Sequence, residues 1–252
     1  MKNRNDRETE SRRLSRQKLK INVATNLVLG VLVLSVGALC LSPTDSAALT
    51  GADETDIYRS AGENAAGVSL MFNVYWGTDE VYRILDILKT YEARATFFIG
   101  GCWADDNVEC LRAIYAAGHE IGNHGYFHKD HDKLSLVQNQ QEISDCNRFI
   151  ELALGEAPTL FAPPSGAYGT NTLSACKALN MKTILWSRDT IDWRDKDETL
   201  IYTRATKNIQ CGEFVLMHPM GATANALDDI LTYYKSQDLA AVSVGENLRE
   251  KG

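Results

Sequence analysis

Two histidines four residues apart, His124 and His128, form the pattern in this sequence that is most typical of a metal site. On one helical turn or in a tight loop, that spacing can point both imidazoles at a single ion. A histidine outside such a cluster is usually structural, and the neighbouring Asp130 and His131 look like surface loop residues. The pair therefore indicates a metal site only if other polar residues converge on it.

Polar and aromatic residues also follow three later apolar runs. The first group contains Pro164 and Tyr168, the second contains Asp192 and Trp193, and the third contains His218. Because the carboxyl ends of parallel strands meet at one edge of a sheet, we expect these groups to share a rim with the histidine pair. Each group could be structural by itself, so the argument for a shared site depends on finding all of them in order.

The elements that must position these residues alternate along the chain. Apolar runs that predict strands lie at 68–72, 95–99, 159–161, 183–186, 214–217 and 240–244, and amphipathic stretches that predict helices lie at 81–91, 108–117, 134–154, 172–179, 198–208 and 225–235. This alternation predicts an α/β fold with a parallel sheet and right-handed crossovers. We expect a deformed or incomplete (β/α) barrel, with a doubly wound sheet as the structural alternative.

The N-terminal segment predicts a membrane anchor. Residues 1–20 form a basic tail with eight Lys or Arg and three Asp or Glu, and residues 21–42 are uncharged and mostly apolar. That length suffices for a helix to cross a bilayer core, and the basic flank would keep the N-terminus in the cytoplasm. We therefore expect a single-pass protein of the cell membrane with its main domain outside the cytoplasm. A signal peptide cleaved near Ala47 is the alternative, and the protein would then be secreted.

The remaining chain divides into a linker and one folded domain. Residues 43–66 are small and polar and predict a linker, and residues 67–252 predict the domain. The whole chain carries a net charge of −7 and the basic tail alone carries +5, so the rest is strongly acidic. This charge argues against a nucleic-acid partner.

From about residue 67 to residue 248 the chain resembles the NodB-type polysaccharide deacetylases of carbohydrate esterase family 4. The resemblance rests on an ordered set of motifs: Ala-Thr-Phe-Phe-Ile-Gly at 95–100, Gly-His-Glu at 118–120, the two histidines, Pro-Pro-x-Gly at 163–166, Asp-x-x-Asp-Trp at 189–193, and Leu-x-His at 216–218. It implies a deformed (β/α) barrel and a divalent ion, most often zinc, with cobalt or a similar ion as an alternative. It also implies hydrolysis of N-acetyl groups on the amino sugars of chitin or peptidoglycan, and hence a cell-wall glycan as the partner.

The resemblance also implies roles for individual residues. His124 and His128 would bind the ion. His218 would be the general acid that protonates the leaving amine, and Asp192 would orient it. The substrate-binding residues would be Trp193, Tyr168 and Pro164.

The first and third motifs depart from the family pattern. Asn73 stands where the family has an Asp that acts as the base, Val74 where a second Asp binds the metal, and Ala162 where an Arg tethers the base. An arginine beside a neutral Asn would lack a counter-charge, so the loss of both charges together is physically consistent. Asn cannot act as a base, although its carbonyl oxygen could bind a metal weakly. Asp79 or Glu80 could replace the base, but as acids in the first turn of a helix both have a simpler explanation.

Three functions follow from these residues. We expect a metal-dependent hydrolase that removes N-acetyl groups from a cell-wall polysaccharide. The alternative is a catalytically impaired, glycan-binding or regulatory protein on the same fold, because of Asn73, Val74 and Ala162. A hydrolase of a different acylated substrate is the third possibility.

Overall fold

The computed structural model describes residues 57–62 and 65–249. In chain order the strands are Ile57–Tyr58 (β1), Val68–Val74 (β2), Thr96–Ile99 (β3), Glu120–Asn123 (β4), Leu160–Phe161 (β5), Lys182–Ile184 (β6), Arg188–Asp189 (β7), Phe214–Met217 (β8) and Ala241–Val242 (β9). The helices are Thr78–Thr90 (α1), Gly101–Asp106 (α2), Val108–Ala116 (α3), Leu136–Leu154 (α4), Thr170–Ala178 (α5), Asp192–Asp195 (α6), Glu198–Thr206 (α7), Gly221–Ser236 (α8) and Val244–Asn247 (α9). Two short 3₁₀ turns lie at His131–Lys133 and Pro164–Gly166.

The strands form one sheet in the order β1-β6-β5-β4-β3-β2-β8-β7, with β9 paired to β2. Every pairing between these strands is parallel. From β2 to β6 the order runs in one direction without the reversal that defines a doubly wound sheet. The two ends, β1 and β7, do not pair with each other, so the sheet is a curled, incomplete barrel. The predicted fold class is confirmed for the described residues.

The apolar residues form two layers on opposite faces of the sheet. The larger layer lies between the strands and the surrounding helices and includes Phe72 and Val74. A smaller cluster fills the barrel interior and includes Met71. Because strand side chains alternate between faces, β2 contributes to both layers, and it is buried along all seven residues.

Several elements differ from the sequence-based expectation. Strand β1 lies inside the predicted linker at 43–66, because Ile57 and Tyr58 pair with Thr183 and Ile184 of β6. Two-residue strands such as β1 and β7 are too short to show an alternating pattern in sequence.

No helix among residues 57–62 and 65–249 is long and apolar enough to span a membrane. The predicted tail at 1–20 and the predicted span at 21–42 lie outside the described residues and stay predictions.

The C-terminal helix α9 closes the base of the barrel through Asn247. The Asn247 Oδ1 accepts from the backbone N–H groups of Ala66 (2.8 Å) and Gly67 (3.2 Å). Its Nδ2 donates to the Gly67 carbonyl at 2.9 Å and to the Ser69 hydroxyl at 2.8 Å. One buried carboxamide therefore makes four hydrogen bonds to the segment that leads into β2.

We expect Asn247→Ala to lower the free energy of unfolding by about 2–4 kcal/mol, because it leaves buried backbone donors without partners. Urea unfolding would measure the loss. The matched control is Gln237→Ala, at an exposed surface position, which should change stability by less than about 0.5 kcal/mol. Equal effects of the two substitutions would contradict this role for Asn247.

Candidate active site

Five positions singled out from the sequence meet at one rim of the sheet. His124 directly follows β4, Ala162 follows β5 and His218 follows β8, while Asn73 lies at the end of β2. Asp192 lies three residues beyond the end of β7. The expectation that these groups share the carboxyl edge of the sheet is therefore met.

A hydrogen bond to the backbone after β5 fixes the orientation of the His124 ring. His124 is buried, and its Nδ1 donates to the Ala162 carbonyl oxygen at 2.7 Å. Because that carbonyl can only accept, the proton sits on Nδ1 and the lone pair on Nε2 is free. Burial, with the neighbouring His128 as the next cause, holds the pKa of His124 well below its usual range. His124 is therefore a neutral imidazole and a weak base.

His128 lies in a tight loop rather than on a helical turn, and it adopts a left-handed backbone conformation with φ 52°. Its ring centroid is 5.1 Å from that of His124, so the structure brings the predicted pair together. The Tyr75 ring stacks on His128 with centroids 4.4 Å apart and covers one imidazole face.

The loop carrying His128 is fixed by Glu142, a residue that sequence reasoning missed. The buried Glu142 carboxylate accepts from the Phe127 N–H at 2.8 Å and pairs with the Lys129 ammonium at 2.6 Å. These two partners flank His128, so a carboxylate on α4 stabilises its unusual conformation. An acid within a long amphipathic helix gave no sign of this contact in sequence.

His218 and Asp192 form the intact half of the site. The Asp192 Oδ1 accepts from the His218 Nδ1 and from the Trp193 N–H, both at 2.8 Å. Its Oδ2 accepts from the His218 N–H and from the Thr223 hydroxyl, both at 2.6 Å. Four donors thus offset the cost of burying this carboxylate. Asp192 fixes the His218 ring with Nδ1 protonated, which leaves Nε2 as the nitrogen available to a ligand.

The end of β2 holds no acid at position 73 or 74. Asn73 is 4% exposed, and its Oδ1 has no hydrogen-bond partner among the described residues. Val74 is fully buried in the apolar layer under the helices. The Ala162 side chain packs in the barrel interior, where the family would have a guanidinium.

The two acids considered as substitutes for the base do not fill this gap. Glu80 pairs with Arg83 at 2.7 Å along α1. Asp79 lies in the first turn of the same helix, the position in which acids stabilise a helix dipole. The simpler explanation of both residues therefore holds.

These side chains do not fit the divalent ion that the resemblance implies. No group of three or more His, Cys, Asp or Glu in the described part of the chain is arranged to bind a metal. His124, His128 and the weak candidate Asn73 offer two neutral imidazoles and one amide oxygen, with no anionic ligand. A divalent cation there would be desolvated without charge compensation, which is costly. Zinc or cobalt as the cofactor stays a prediction that this donor set does not favour.

The predicted substrate-binding residues differ in their exposure. Trp193 is 50% exposed next to Asp192. The Tyr168 hydroxyl accepts a hydrogen bond from the Arg59 guanidinium at 3.2 Å. Pro164 is buried against Gly125, so it supports the wall of the cleft and offers no open surface.

The prediction that His131 is a surface loop residue is wrong, because its side chain is fully buried. Its Nδ1 lies 2.6 Å from the Asn139 Oδ1. The Asn139 amide in turn donates to three backbone carbonyls. His131 therefore anchors the loop after His128 to α4.

Burial of these imidazoles predicts that stability falls in acid. The pKa of His124 is depressed in the folded state, so between that pKa and about 6.5 the unfolded chain binds a proton that the folded chain does not. His124→Asn can keep a donor to the Ala162 carbonyl while removing the titrating ring. We expect the loss of unfolding free energy between pH 7.5 and 5.5 to be about 1.4 kcal/mol smaller in this variant. Urea titrations at the two pH values test this, and equal losses in both proteins would contradict it.

Comparisons with known proteins agree with this geometry. The model of the polysaccharide deacetylase family matches residues 61–184. Peptidoglycan-N-acetylglucosamine deacetylase of Bacillus cereus is 34% identical over 183 residues, which cover 69% of this chain and 85% of that protein. Protein YlxY of Bacillus subtilis is 36% identical over 73% of this chain, which spans only 57% of YlxY.

A similar solved structure is that of BA3943, a CE4 family pseudoenzyme from Bacillus anthracis. It has a TM-score of 0.74 and 35% identity, covering 77% of this chain and 69% of that one. A BA3943 mutant with restored enzymatic activity superposes with the same TM-score of 0.74. From the motifs, the fold and these relatives, we conclude that the chain belongs to the polysaccharide deacetylase family, whose enzymes hydrolyse the amide C–N bond of N-acetyl groups.

Proposed function

We propose that this chain binds N-acetylated amino sugars of a cell-wall glycan, of the peptidoglycan or chitin-like type, and is catalytically impaired as a deacetylase. The observation that carries the proposal is the neutral Asn73 carboxamide, which lies where a base would be required and whose buried Oδ1 accepts no hydrogen bond from the described residues. The intact Asp192–His218 pair lies beside it, because β8 pairs with β2 and Phe72 aligns with Met217, the residue before His218.

Deacetylation needs a group that takes a proton from water as it attacks the carbonyl. Asn73 cannot do this, because its amide does not titrate usefully. His124 has a free Nε2 lone pair, but its depressed pKa makes it a poor proton acceptor. The proton-donating half of the reaction is therefore present without the proton-accepting half.

Binding of an acetamido group suits the same residues. An acetamido group offers one N–H donor and one carbonyl acceptor, and the Asn73 carboxamide offers the complementary pair. The buried Asn73 Oδ1 accepts no hydrogen bond from the described residues, so rotation of the carboxamide about its last torsion breaks no bond of that atom and can exchange the positions of Oδ1 and Nδ2. A recognition role follows without any change in the backbone.

The charge of the cleft favours the acetylated form of the sugar. A deacetylated sugar carries an ammonium group, which needs an anionic partner once desolvated. The Asp192 oxygens are already occupied by four donors, and Asn73 is neutral. A neutral acetamido group therefore costs less to bury here.

The second candidate is the metal-dependent deacetylase expected from the sequence. It is favoured by the Asp192–His218 pair, which a binding protein does not need. It would require a base and an anionic metal ligand that Asn73 and Val74 do not provide. The likeness to a CE4 family pseudoenzyme supports impaired catalysis instead.

The proposed location follows from the predicted anchor at 21–42. With a cytoplasmic N-terminus, the domain would lie outside the cell membrane, where a cell-wall glycan is within reach. A cleaved segment would release the same domain as a secreted protein.

Acetate release tests the impaired catalysis. We expect the wild-type protein, with zinc or cobalt added, to release no acetate above the buffer rate from chitotetraose or peptidoglycan. Asn73→Asp supplies a candidate base and should raise the rate on the order of 10²-fold, the usual contribution of general base catalysis.

The control is Asn73→Asp combined with His218→Ala, which should lose the gain because the leaving amine is no longer protonated. Wild-type acetate release that disappears in His218→Ala would instead establish the second candidate.

Binding of the acetylated and deacetylated sugars tests the recognition function. At pH 6, where the free amine is charged, we expect chitotetraose to bind at least about tenfold more tightly than the glucosamine tetramer, since an uncompensated charge costs several kcal/mol. Asn73→Leu, of similar volume, should abolish most of this preference. Gln141→Leu, an exposed substitution on α4, is the control. Equal or tighter binding of the glucosamine tetramer by the wild-type protein would exclude this form of recognition.

A further inference from the structure

Trp76 is a large aromatic side chain that remains 40% exposed beside the candidate site. It lies in the loop between β2 and α1, three residues after Asn73. A single exposed aromatic needs no explanation by itself, but one that is held in place at a cleft offers a rigid apolar surface to a ligand.

The Trp76 ring is fixed by two contacts to the loop that follows β8. It lies parallel to the His218 imidazole, with ring centroids 5.7 Å apart and an interplanar angle of 4°. Its Nε1 donates to the Met220 sulfur at 3.1 Å. The single polar group of the indole is therefore already used, and the rest of its surface is apolar.

The backbone next to Trp76 is equally restricted. Gly77 has a φ of 81°, and a Cβ at that position would lie 2.2 Å from the Pro219 carbonyl oxygen. Only glycine can therefore bring this loop so close to the β8 loop. The ring is held in place before any ligand arrives, which lowers the entropy cost of binding.

A second exposed indole belongs to a residue that contacts the same polar pair. Trp193 is 50% exposed, and its backbone N–H binds the Asp192 carboxylate that orients His218. Trp76, His218, Asp192 and Trp193 are thus connected in one continuous series of contacts at the rim.

We propose that Trp76 is a stacking surface for the pyranose ring of the amino sugar whose acetamido group is bound at Asn73. A pyranose ring has faces formed by C–H groups, and such an apolar face packs on an indole that has no free polar atom. This inference rests on the proposed glycan-binding function and adds a residue that sets affinity for the sugar ring itself.

The alternative is that Trp76 acts as a lid over His218 and excludes the glycan. The two possibilities predict opposite changes in affinity when the ring is removed. Removal of a stacking surface weakens glycan binding, whereas removal of a lid strengthens it.

The experiment is isothermal titration of chitotetraose into the wild-type protein, Trp76→Ala, Trp76→Phe and the control Tyr115→Ala. Tyr115 is a similarly exposed aromatic, 38% accessible, on the outer helix α3. We expect Trp76→Ala to raise the dissociation constant about tenfold, in line with the worth of an aromatic contact plus its buried area. The dissociation constant of Trp76→Phe, which keeps a ring, should stay within about threefold of the wild-type value. Tyr115→Ala should have the wild-type dissociation constant. Thermal unfolding of each variant confirms that the fold is retained.

Wild-type-like or tighter binding by Trp76→Ala would overturn the stacking role while leaving the glycan-binding function standing. An equal loss in Tyr115→Ala would also overturn it, because the effect would then not be local. If the wild-type protein binds neither chitotetraose nor peptidoglycan fragments, both the proposed function and this inference fail.

Discussion

The pairing of β2 with a parallel strand on each side is the interaction on which the rest of this structure depends. Met71 and Phe72 align with residues of both β3 and β8, so the middle of the sheet is closed on both edges of β2. The alternation along β2 then assigns each side chain to one face. Asn73 faces the barrel interior and the site, whereas Val74 enters the apolar layer under the helices. The same pleat that builds the core therefore removes position 74 from the cleft.

The chemistry of the cleft follows from how each buried polar group is compensated. Asp192 is stable as a buried carboxylate because four donors surround it. The imidazole of His124 has no such partner for a positive charge, and burial depresses its pKa. Because Asn73 and Ala162 are neutral, whereas Asp192 is a buried carboxylate, the two parts of the cleft differ sharply in charge. One side is a satisfied ionic centre, and the other is neutral.

Aromatic rings restrict two of the three imidazoles at the site. Tyr75 stacks on His128 and Trp76 stacks on His218, and the two rings are neighbours in one loop. A single segment after β2 thus contacts both halves of the site. This arrangement gives the cleft a fixed and largely apolar surface. Such a surface suits binding of a sugar ring better than binding of a metal ion.

Short-range patterns in the sequence predicted six of the nine described strands, the incomplete barrel and the residues at its rim. The His124–His128 pair and the Asp192–His218 pair could be anticipated, because parallel strands bring their carboxyl ends to one edge whatever the details of packing. Strands β1, β4 and β7 were not predicted, because their short sequences contain no apolar run of three or more residues. Glu142 looks like any acid on an amphipathic helix.

Only the tertiary structure decided the contacts between distant parts of the chain. The burial of His131, the clamp of Glu142 on the loop of His128, and the face to which Val74 points all depend on partners from other elements. Trp76 meets Met220 across 144 positions in sequence. Such contacts are set by which helix packs over which strand, a long-range property that no local spacing of residue types records.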